Sequence, residues 1–342
     1  MGLFAWLNSR SKKVDHDSVP INHTEKNDTP DTVETISGPF CSGNLAVFLI
    51  HGSDHMPLKN FITLEEALEK KQVILKETGK VSQLTIKNIG DQIVFIQSGD
   101  IVKGGKQDRT FQYDMILPVR SEFVPISSFC VERGRWSQRG KEDATHFHDS
   151  HHNLASKSLK MAAKYTRSQQ EVWNEVSSVQ RRGAQNAGVP LSAVQNESSP
   201  SSLELTLDNE TIKTATETYI KDLSTVPDNE NNVLGYAFAI NGQVNSIDVY
   251  SCNSLFKKMW PKLIRAAAVE ALSDLKKGQN VEPPSCADIR ACMNDAENAA
   301  SKEQAVSGKS KTLMHESEKN LLFETRDMMN GDSWVHRNYI AK

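Results

Sequence analysis

The order of apolar and polar positions divides the chain into stretches of different kind. From Asn8 to about Ile36, Ser, Thr, Asp, Asn and Lys surround isolated Val and Ile. That is too little apolar surface to offset the entropy of ordering, so 1–37 is expected to be a disordered lead-in. Leu45 to His51 is an apolar run of buried-strand type. Thr63 stands three residues before Glu66, the spacing of a capping box, which predicts a short helix ending near Lys71. Val73 to Lys76, Leu84 to Ile86 and Ile93 to Ile96 read as strands separated by Thr78-Gly79-Lys80 and Gly90-Asp91. Phe111, Tyr113, Met115 and Leu117 alternate with Gln112, Asp114 and Ile116 as in one further strand, and Phe123 to Val131 as in another. Region 39–136 is therefore expected to be a sheet of short, largely antiparallel strands.

Beyond His152 the apolar period changes to that of a helix. Leu159, Ala162, Ala163, Val172, Trp173, Val176 and Val179 suit one long amphipathic helix stopping near Gly183. A polar loop, Asn196 to Ser202, leads to Asp208, a cap for a helix carrying Ile212, Ala215, Tyr219 and Leu223. Asn241-Gly242 separates the runs Val233 to Ile240 and Gln243 to Tyr250, a hairpin signal because both turn positions need positive φ. Apolar pairs from Leu255/Phe256 to Ala271/Leu272 define a third helix, with Pro261 two turns in and a stop at Gly278. Residues 279–311 turn polar again around Pro283-Pro284, which predicts a mobile excursion with at most a short helix near 287–299. Leu321 to Thr325 and Trp334 to Arg337 flank Asn330-Gly331-Asp332 and predict a terminal hairpin returning to the main sheet. No internal repeat is visible.

Composition narrows the classes. Forty Lys and Arg face 43 Asp and Glu in 342 residues, a formal charge of −3, which disfavours a dedicated nucleic-acid binder. Hydrophobic residues make up 38%, enough at this length for one large core or two modest ones. Past the N-terminus the longest apolar run, Leu45 to Ile50, falls far short of the roughly twenty residues of a membrane helix. Arg10, Lys12 and Lys13 follow the apolar Met1 to Leu7, the reverse of a secretory signal. Trp6 occupies the position where N-myristoylation wants Ser or Thr. Five cysteines without a Cys-x-x-Cys pair read as reduced thiols, and the expected location is cytoplasmic.

Charge is nonetheless uneven along the chain, and the locally basic stretches carry the candidate chemistry. Ser98 to Arg109 contains Gly104-Gly105 among Lys103, Lys106 and Arg109. It reads either as a backbone nest for phosphate or carboxylate or as a glycine hairpin with solvated charges. It matches neither a P-loop nor a Rossmann fingerprint. Phe129 to Trp136 packs Cys130, Glu132, Arg133, Arg135 and Trp136 together. Arginines there would lower a thiolate pKa or fork onto a phosphate, and Trp136 would stack on a base; the alternative is a core cysteine with a rim ion pair. His146, His148, His151 and His152 match no closed zinc motif, so no metal is assigned. In the terminal hairpin, Glu324 or Arg326 beside His336 would form an acid/base pair or an ordinary cross-strand charge pair.

Taken together, Ser98 to Arg109, Cys130 to Trp136, Val172-Trp173, Gly235 to Asp248 with Phe256 and Trp260, and Glu324 to Arg326 with His336-Arg337 resemble the ARG and Rhodanese-Phosphatase-superfamily-associated Protein (ARPP) domain family, first type. The resemblance runs from about Gly38 to the C-terminus. It implies a link to ADP-ribose or NAD metabolism through association with ADP-ribosylglycohydrolase and phosphatase-like domains, and no particular reaction or cofactor. The tail at 1–37 and the stretch 279–311 depart from the family pattern.

The resulting expectation is an α+β chain, mainly antiparallel sheet in the N-terminal half, packed by three longer helices, with a C-terminal hairpin returning to the core. It divides into a 1–37 tail, a domain at 38–278, a 279–311 insertion and a 312–342 hairpin. The expected ligand is a small anionic nucleotide such as ADP-ribose, held by Lys103, Gly104, Gly105, Lys106, Gln107, Arg109, Arg135, Trp136 and Arg326. Glu132, Asp108, Cys130 and His336 are the catalytic candidates of a hydrolase-type reading. The alternative is a non-catalytic module that binds a nucleotide or a partner. Nucleic-acid binding through Arg133, Arg135, Arg139, Lys141 and Arg181-Arg182 is disfavoured by interspersed acids.

Overall fold

A continuous apolar run such as Leu45 to Ile50 is stable as a strand only where both sheet faces are covered, and the architecture covers both. A computed structural model describes residues 34–56, 60–140, 147–279, 281–307 and 309–342, with backbone alone at 149–152. Its first half runs β1 (Thr35–Ser42), β2 (Leu45–His51), β3 (Phe61–Thr63), α1 (Leu64–Glu69), β4 (Val73–Glu77), β5 (Gln83–Asn88), β6 (Ile93–Ile96), β7 (Asp100–Gly104), β8 (Arg109–Phe111), β9 (Met115–Leu117), β10 (Val124–Cys130) and β11 (Phe147–Leu154). The second half runs α2 (Lys157–Met161), α3 (Gln169–Ala187), α4 (Leu203–Leu207), α5 (Glu210–Leu223), β12 (Val233–Ile240), β13 (Gln243–Tyr250), α6 (Asn253–Ser273), α7 (Cys286–Glu297), β14 (Ser301–Ser307), β15 (Ser310–Glu316), β16 (Asn320–Asp327) and β17 (Ser333–Ala341). The fold is α+β.

Eight strands form an antiparallel sheet in the order β1-β2-β12-β13-β17-β16-β15-β14. On one face Leu45, Val47 and Leu49 of β2 meet Tyr236, Phe238 and the α6 residues Leu255, Met259, Trp260 and Leu263. On the other, Ala46, Phe48 and Ile50 pack with Ile289, Cys292, Met293 and Ala296 of α7. A second sheet, β11-β7-β8-β10-β5-β4, and a small one, β3-β6-β9, complete the strands. The terminal β16–β17 hairpin lies inside the large sheet, next to β13.

Several expectations are met and several corrected. The capping box at Thr63 and Glu66 forms, and β12 and β13 pair across Asn241-Gly242. β1 starts at Thr35, inside the expected 1–37 tail, because it pairs with β2; residues 1–33 lie outside those described. The alternating run at 111–117 is two strands of different sheets. Asp114 breaks it by turning to accept the Ser98 N–H at 2.7 Å. The expected helix over 159–183 is α2, a π turn at Ala162–Thr166 and α3, divided where Arg167 adopts φ 56°. It ends at the left-handed Gly188, not at Gly183, which is buried inside α3. The cap of α5 is Asn209, one residue after Asp208. Residues 279–311, expected as a polar excursion with at most a short helix near 287–299, contain the packed helix α7 (Cys286–Glu297) and strand β14, which pairs with β15. α7 is anchored by a sparse stripe, Ile289, Cys292, Met293 and Ala296, at helical spacing, and the hairpin by pairing of β15 with β16.

Among the described residues, no helix is long and apolar enough to cross a membrane.

Gly235 marks the closest approach of β12 to β13. A Cβ there would lie 2.8 Å from Val249 Cα and nearer still to the Asp248 carbonyl oxygen. Backbone cannot yield as a flexible side chain does, so Gly235→Ala is expected to destabilise the protein by about 3 kcal/mol. A urea midpoint equal to wild type would refute the packing described.

Candidate functional site

The Gly-Gly stretch and the Cys-to-Trp stretch meet because β7, β8 and β10 are neighbours in one sheet. The turn between β7 and β8 carries Gly104 at φ 119° and Gly105 at φ 54°. Asp108 closes it, its Oδ1 accepting the Gly104 N–H at 3.0 Å. Gly105 has no room for a side chain, since a Cβ would overlap the Phe147 ring.

Beneath this turn two carboxylates and two guanidiniums form a buried lattice. Arg135 donates to both Glu132 oxygens at 2.6 and 2.7 Å and to the Gly105 carbonyl at 3.1 Å. Arg139 donates to both Asp108 oxygens at 2.8 and 3.2 Å. Ser202 Oγ donates to Asp108 at 2.8 Å, and Ser199 Oγ donates to Glu132. The Asp108 N–H donates to Glu132 Oε2 at 3.0 Å. Burial alone would raise the Glu132 pKa, but the hydrogen bonds from Arg135 and Ser199 outweigh it and hold the carboxyl below its ordinary range. Glu132 is thus ionised, and both it and Asp108 are saturated with donors, an arrangement that positions a turn and leaves no lone pair for a substrate proton.

The other expected residues divide sharply. Gln107 is a strut, its amide donating to the Glu132 carbonyl at 2.8 Å and accepting from the Cys130 thiol at 2.9 Å. Burial pushes the Cys130 thiol up to about 11 against the pull of Arg109. It is therefore a protonated thiol at neutral pH, not the activated nucleophile considered from sequence. Arg109 is wholly buried and pairs with Glu77 at 3.3 Å, and Lys103 lies 3.6 Å from Glu204. Lys106 and Trp136 face outward: Trp136 is 42% exposed. Lys106 Nζ lies 5.3 Å and Arg109 Cζ 5.4 Å from the centre of its ring. Arg133 leans on Trp173 instead.

The terminal hairpin does not join this lattice. Its register sets Thr325 opposite His336 and Glu324 opposite Arg337. Glu324 accordingly accepts from Arg337 at 2.7 Å and Arg326 at 2.5 Å, and Arg326 also reaches Asp332. His336 sits in a second buried cluster, 2.7 Å from Asp114 and 3.0 Å from Asp248, stacked on Tyr250. Lys164 of the π turn belongs to the same cluster, 3.3 Å from Asn338. The expected acid/base pair of His336 with Glu324 or Arg326 is therefore replaced by a histidine bridging two aspartates. His148 is exposed on β11; His146 and the side chains of His151 and His152 lie outside the described residues. Among the described residues, no group of three or more His, Cys, Asp or Glu is arranged to hold a metal.

Sequence reasoning missed Arg139 as a partner of Asp108, Ser199 and Ser202 in a polar loop, and Glu204. Burial raises the Glu204 pKa to about 8, partly countered by Lys103. One local signal existed: Glu204 stands between leucines in Leu203-Glu204-Leu205.

Two outcomes follow from these clusters. Glu132→Ala strands the Arg135 guanidinium and is expected to cost about 3 to 5 kcal/mol; equilibrium unfolding would show it, and an unchanged midpoint would refute the lattice. For His336, burial lowers the pKa but Asp114 and Asp248 overcome it, so the folded value lies above the ordinary 6.5. A base raised in the folded state stabilises fully below its unfolded pKa and loses that contribution as pH rises through the folded value. Glu204, an acid with a raised pKa, gives a slope of the same sign. The His336 share is therefore the difference between wild type and His336→Gln, whose stability is expected to fall less steeply above pH 6.5.

No curated protein and no solved structure gives a significant match. The profile of one family does, over residues 34–340, a span that holds β7, β8, the Asp108–Glu132 lattice and the His336 cluster. By that match the chain belongs to the ARG and Rhodanese-Phosphatase-superfamily-associated Protein domain family.

Proposed function

We propose that the β7–β8 turn and Trp136 bind a small phosphorylated ribose nucleotide of the ADP-ribose and NAD class, without turning it over. The observation that carries this reading is the half-exposed Trp136 ring with the Lys106 ammonium 5.3 Å from its centre. A base stacks on such a ring, and Lys106, on a flexible four-carbon stem, swings from the ring onto a phosphate. Gly104 and Gly105 serve the turn itself, whose backbone is held by Asp108 and Arg135, and so fix where Lys106 is presented. The family description, in which ARG reads as ADP-ribosylglycohydrolase, supports the ADP-ribose chemistry.

Binding is favoured over hydrolysis by the state of the candidate catalytic groups. Asp108 and Glu132 are consumed by Arg135 and Arg139, and the Cys130 thiol stays protonated. The buried arginines act on the ligand only through the turn they hold.

Isothermal titration with ADP-ribose, NAD and AMP tests the reading. Trp136→Ala and Lys106→Ala are expected to weaken ADP-ribose binding about tenfold each, as for loss of one stacking or one charge-assisted contact, with unchanged unfolding midpoints. No heat with any of the three ligands would refute it. Phosphorus NMR of the bound ligand is expected to show shifted resonances and no new ones; new resonances would establish turnover.

A further inference from the structure

Several nucleophilic and basic side chains are already spent on the protein itself. Ser199 and Ser202 serve Glu132 and Asp108, the Cys130 thiol is held protonated, and His336 is closed between two aspartates. At the outer edge of the large sheet one serine is placed differently. β1 is the edge strand, and its register sets Thr35 opposite His51 and Ser37 opposite Leu49. Side chains two residues apart share a sheet face, so Ser37 is the diagonal neighbour of His51. Its Oγ lies 2.7 Å from His51 Nε2. Both residues are half-buried, not sealed in the core.

The other ring nitrogen settles the direction of that bond. His51 Nδ1 lies 3.1 Å from the Asn231 carbonyl oxygen, which has no proton to give, so the neutral imidazole carries its hydrogen on Nδ1. Nε2 then presents a lone pair, and the Ser37 hydroxyl donates to it. A hydroxyl donating to an imidazole whose far nitrogen is fixed by a third group is the arrangement of a nucleophile with its general base. The fold holds each part. Asn232, at φ 55°, turns the chain into β12, and its carbonyl accepts the Gly52 N–H at 2.8 Å, which keeps the Asn231 carbonyl beside His51. Arg290 of α7 donates to the Glu34 carbonyl at 2.5 Å and anchors the start of β1. Directly after Ser37 the ladder slips, from Ser37 opposite Leu49 to Phe40 opposite Val47, so Gly38 and Pro39 form a bulge. Gly38 has φ 116°, and a Cβ there would lie 2.9 Å from the Val47 carbonyl oxygen. Bulges at sheet edges re-aim the chain, and this one sets Gly38, next to the nucleophile, outside the register pairs of β1 and β2.

We propose that Ser37 and His51 form an acyl-transfer site for carboxylic esters. Ser37 Oγ attacks the ester carbonyl carbon as its proton passes to His51 Nε2, with the Gly38 N–H, adjacent in the chain, as the candidate donor to the oxyanion. Nε2 returns the proton to the departing alcohol, and the acyl group stays on Ser37. Water, deprotonated by the same nitrogen, then releases the acid and restores the hydroxyl, so that ester and water become acid and alcohol. The Asn231 carbonyl fixes the tautomer, but its dipole steadies the imidazolium less than a carboxylate would. The pair therefore suits esters, whose leaving groups depart readily, and not amides. The site shares no residue with the β7–β8 turn and Trp136, and it stands independently of the nucleotide reading.

A fluorophosphonate probe and p-nitrophenyl acetate, each applied to the full chain, test the assignment. Mass spectrometry is expected to find the phosphonyl adduct on Ser37, and the acetate to release a burst of about one p-nitrophenolate per chain. Ser37→Ala is expected to abolish both, and His51→Gln to slow both by about a hundredfold, as for loss of a general base. Ser37→Cys, which keeps a nucleophile beside His51, is expected to retain the burst, and chain unfolded in urea is expected not to label. No adduct on Ser37 in the folded chain, or a labelling rate unchanged in His51→Gln, would overturn the assignment and leave the contact as a cross-strand tie.

Discussion

Asp108 and Glu132 are carboxylates removed from water, and ions in such a place persist only when their partners surround them. Arg135 grips Glu132 with both arms and Arg139 grips Asp108 likewise. From this the local architecture follows. Asp108 draws in the Gly104 N–H and so shapes the turn; Glu132 receives the Asp108 N–H and ties β10's exit to β8's approach. Arg135 caps the Gly105 carbonyl, and Trp136, next in the chain, is delivered to the surface beside Lys106. The charges that look like a ligand site in one dimension are mostly spent on one another and on the turn in three.

Elements whose signal is local were legible. Asn241-Gly242 needs positive φ at both turn residues, and the structure has φ 50° and 76° there. The capping box at Thr63 is likewise written within four residues. α7 was not legible as a packed element because its buried apolar side chains are only Ile289, Cys292, Met293 and Ala296, spread among acids and amides, with Cys286 partly buried beside them. The need for it comes from a strand 240 residues earlier in the chain, whose second face would otherwise be bare. The division of 111–117 into two strands has a similar cause, since Asp114 is claimed by Ser98, Thr325 and His336 from elsewhere.

The candidate site was half legible for the same reason. The co-location of the Gly-Gly and Cys-to-Trp stretches followed from strands that could pair, and the two do meet. The state of each group did not follow. Whether Arg135 holds a phosphate or a carboxylate depends on Glu132 alone among its neighbours in sequence, but whether Asp108 is available depends on Arg139 and on Ser202, 94 residues away. His336 was placed with the wrong partners because register assigns Thr325, not Glu324 or Arg326, to face it. Its aspartates come from a loop and from β13.

The central claim is that the lattice is a frame and that Trp136 with the turn is what a ligand touches. Amide and indole chemical shifts of the protein, followed during titration with ADP-ribose, test it most directly. The account predicts saturable shifts at Gly104, Gly105, Lys106 and the Trp136 indole, with the phosphorus resonances of the ligand moved but not multiplied. Shifts confined to other parts of the chain, or no shifts at saturating nucleotide, would contradict it.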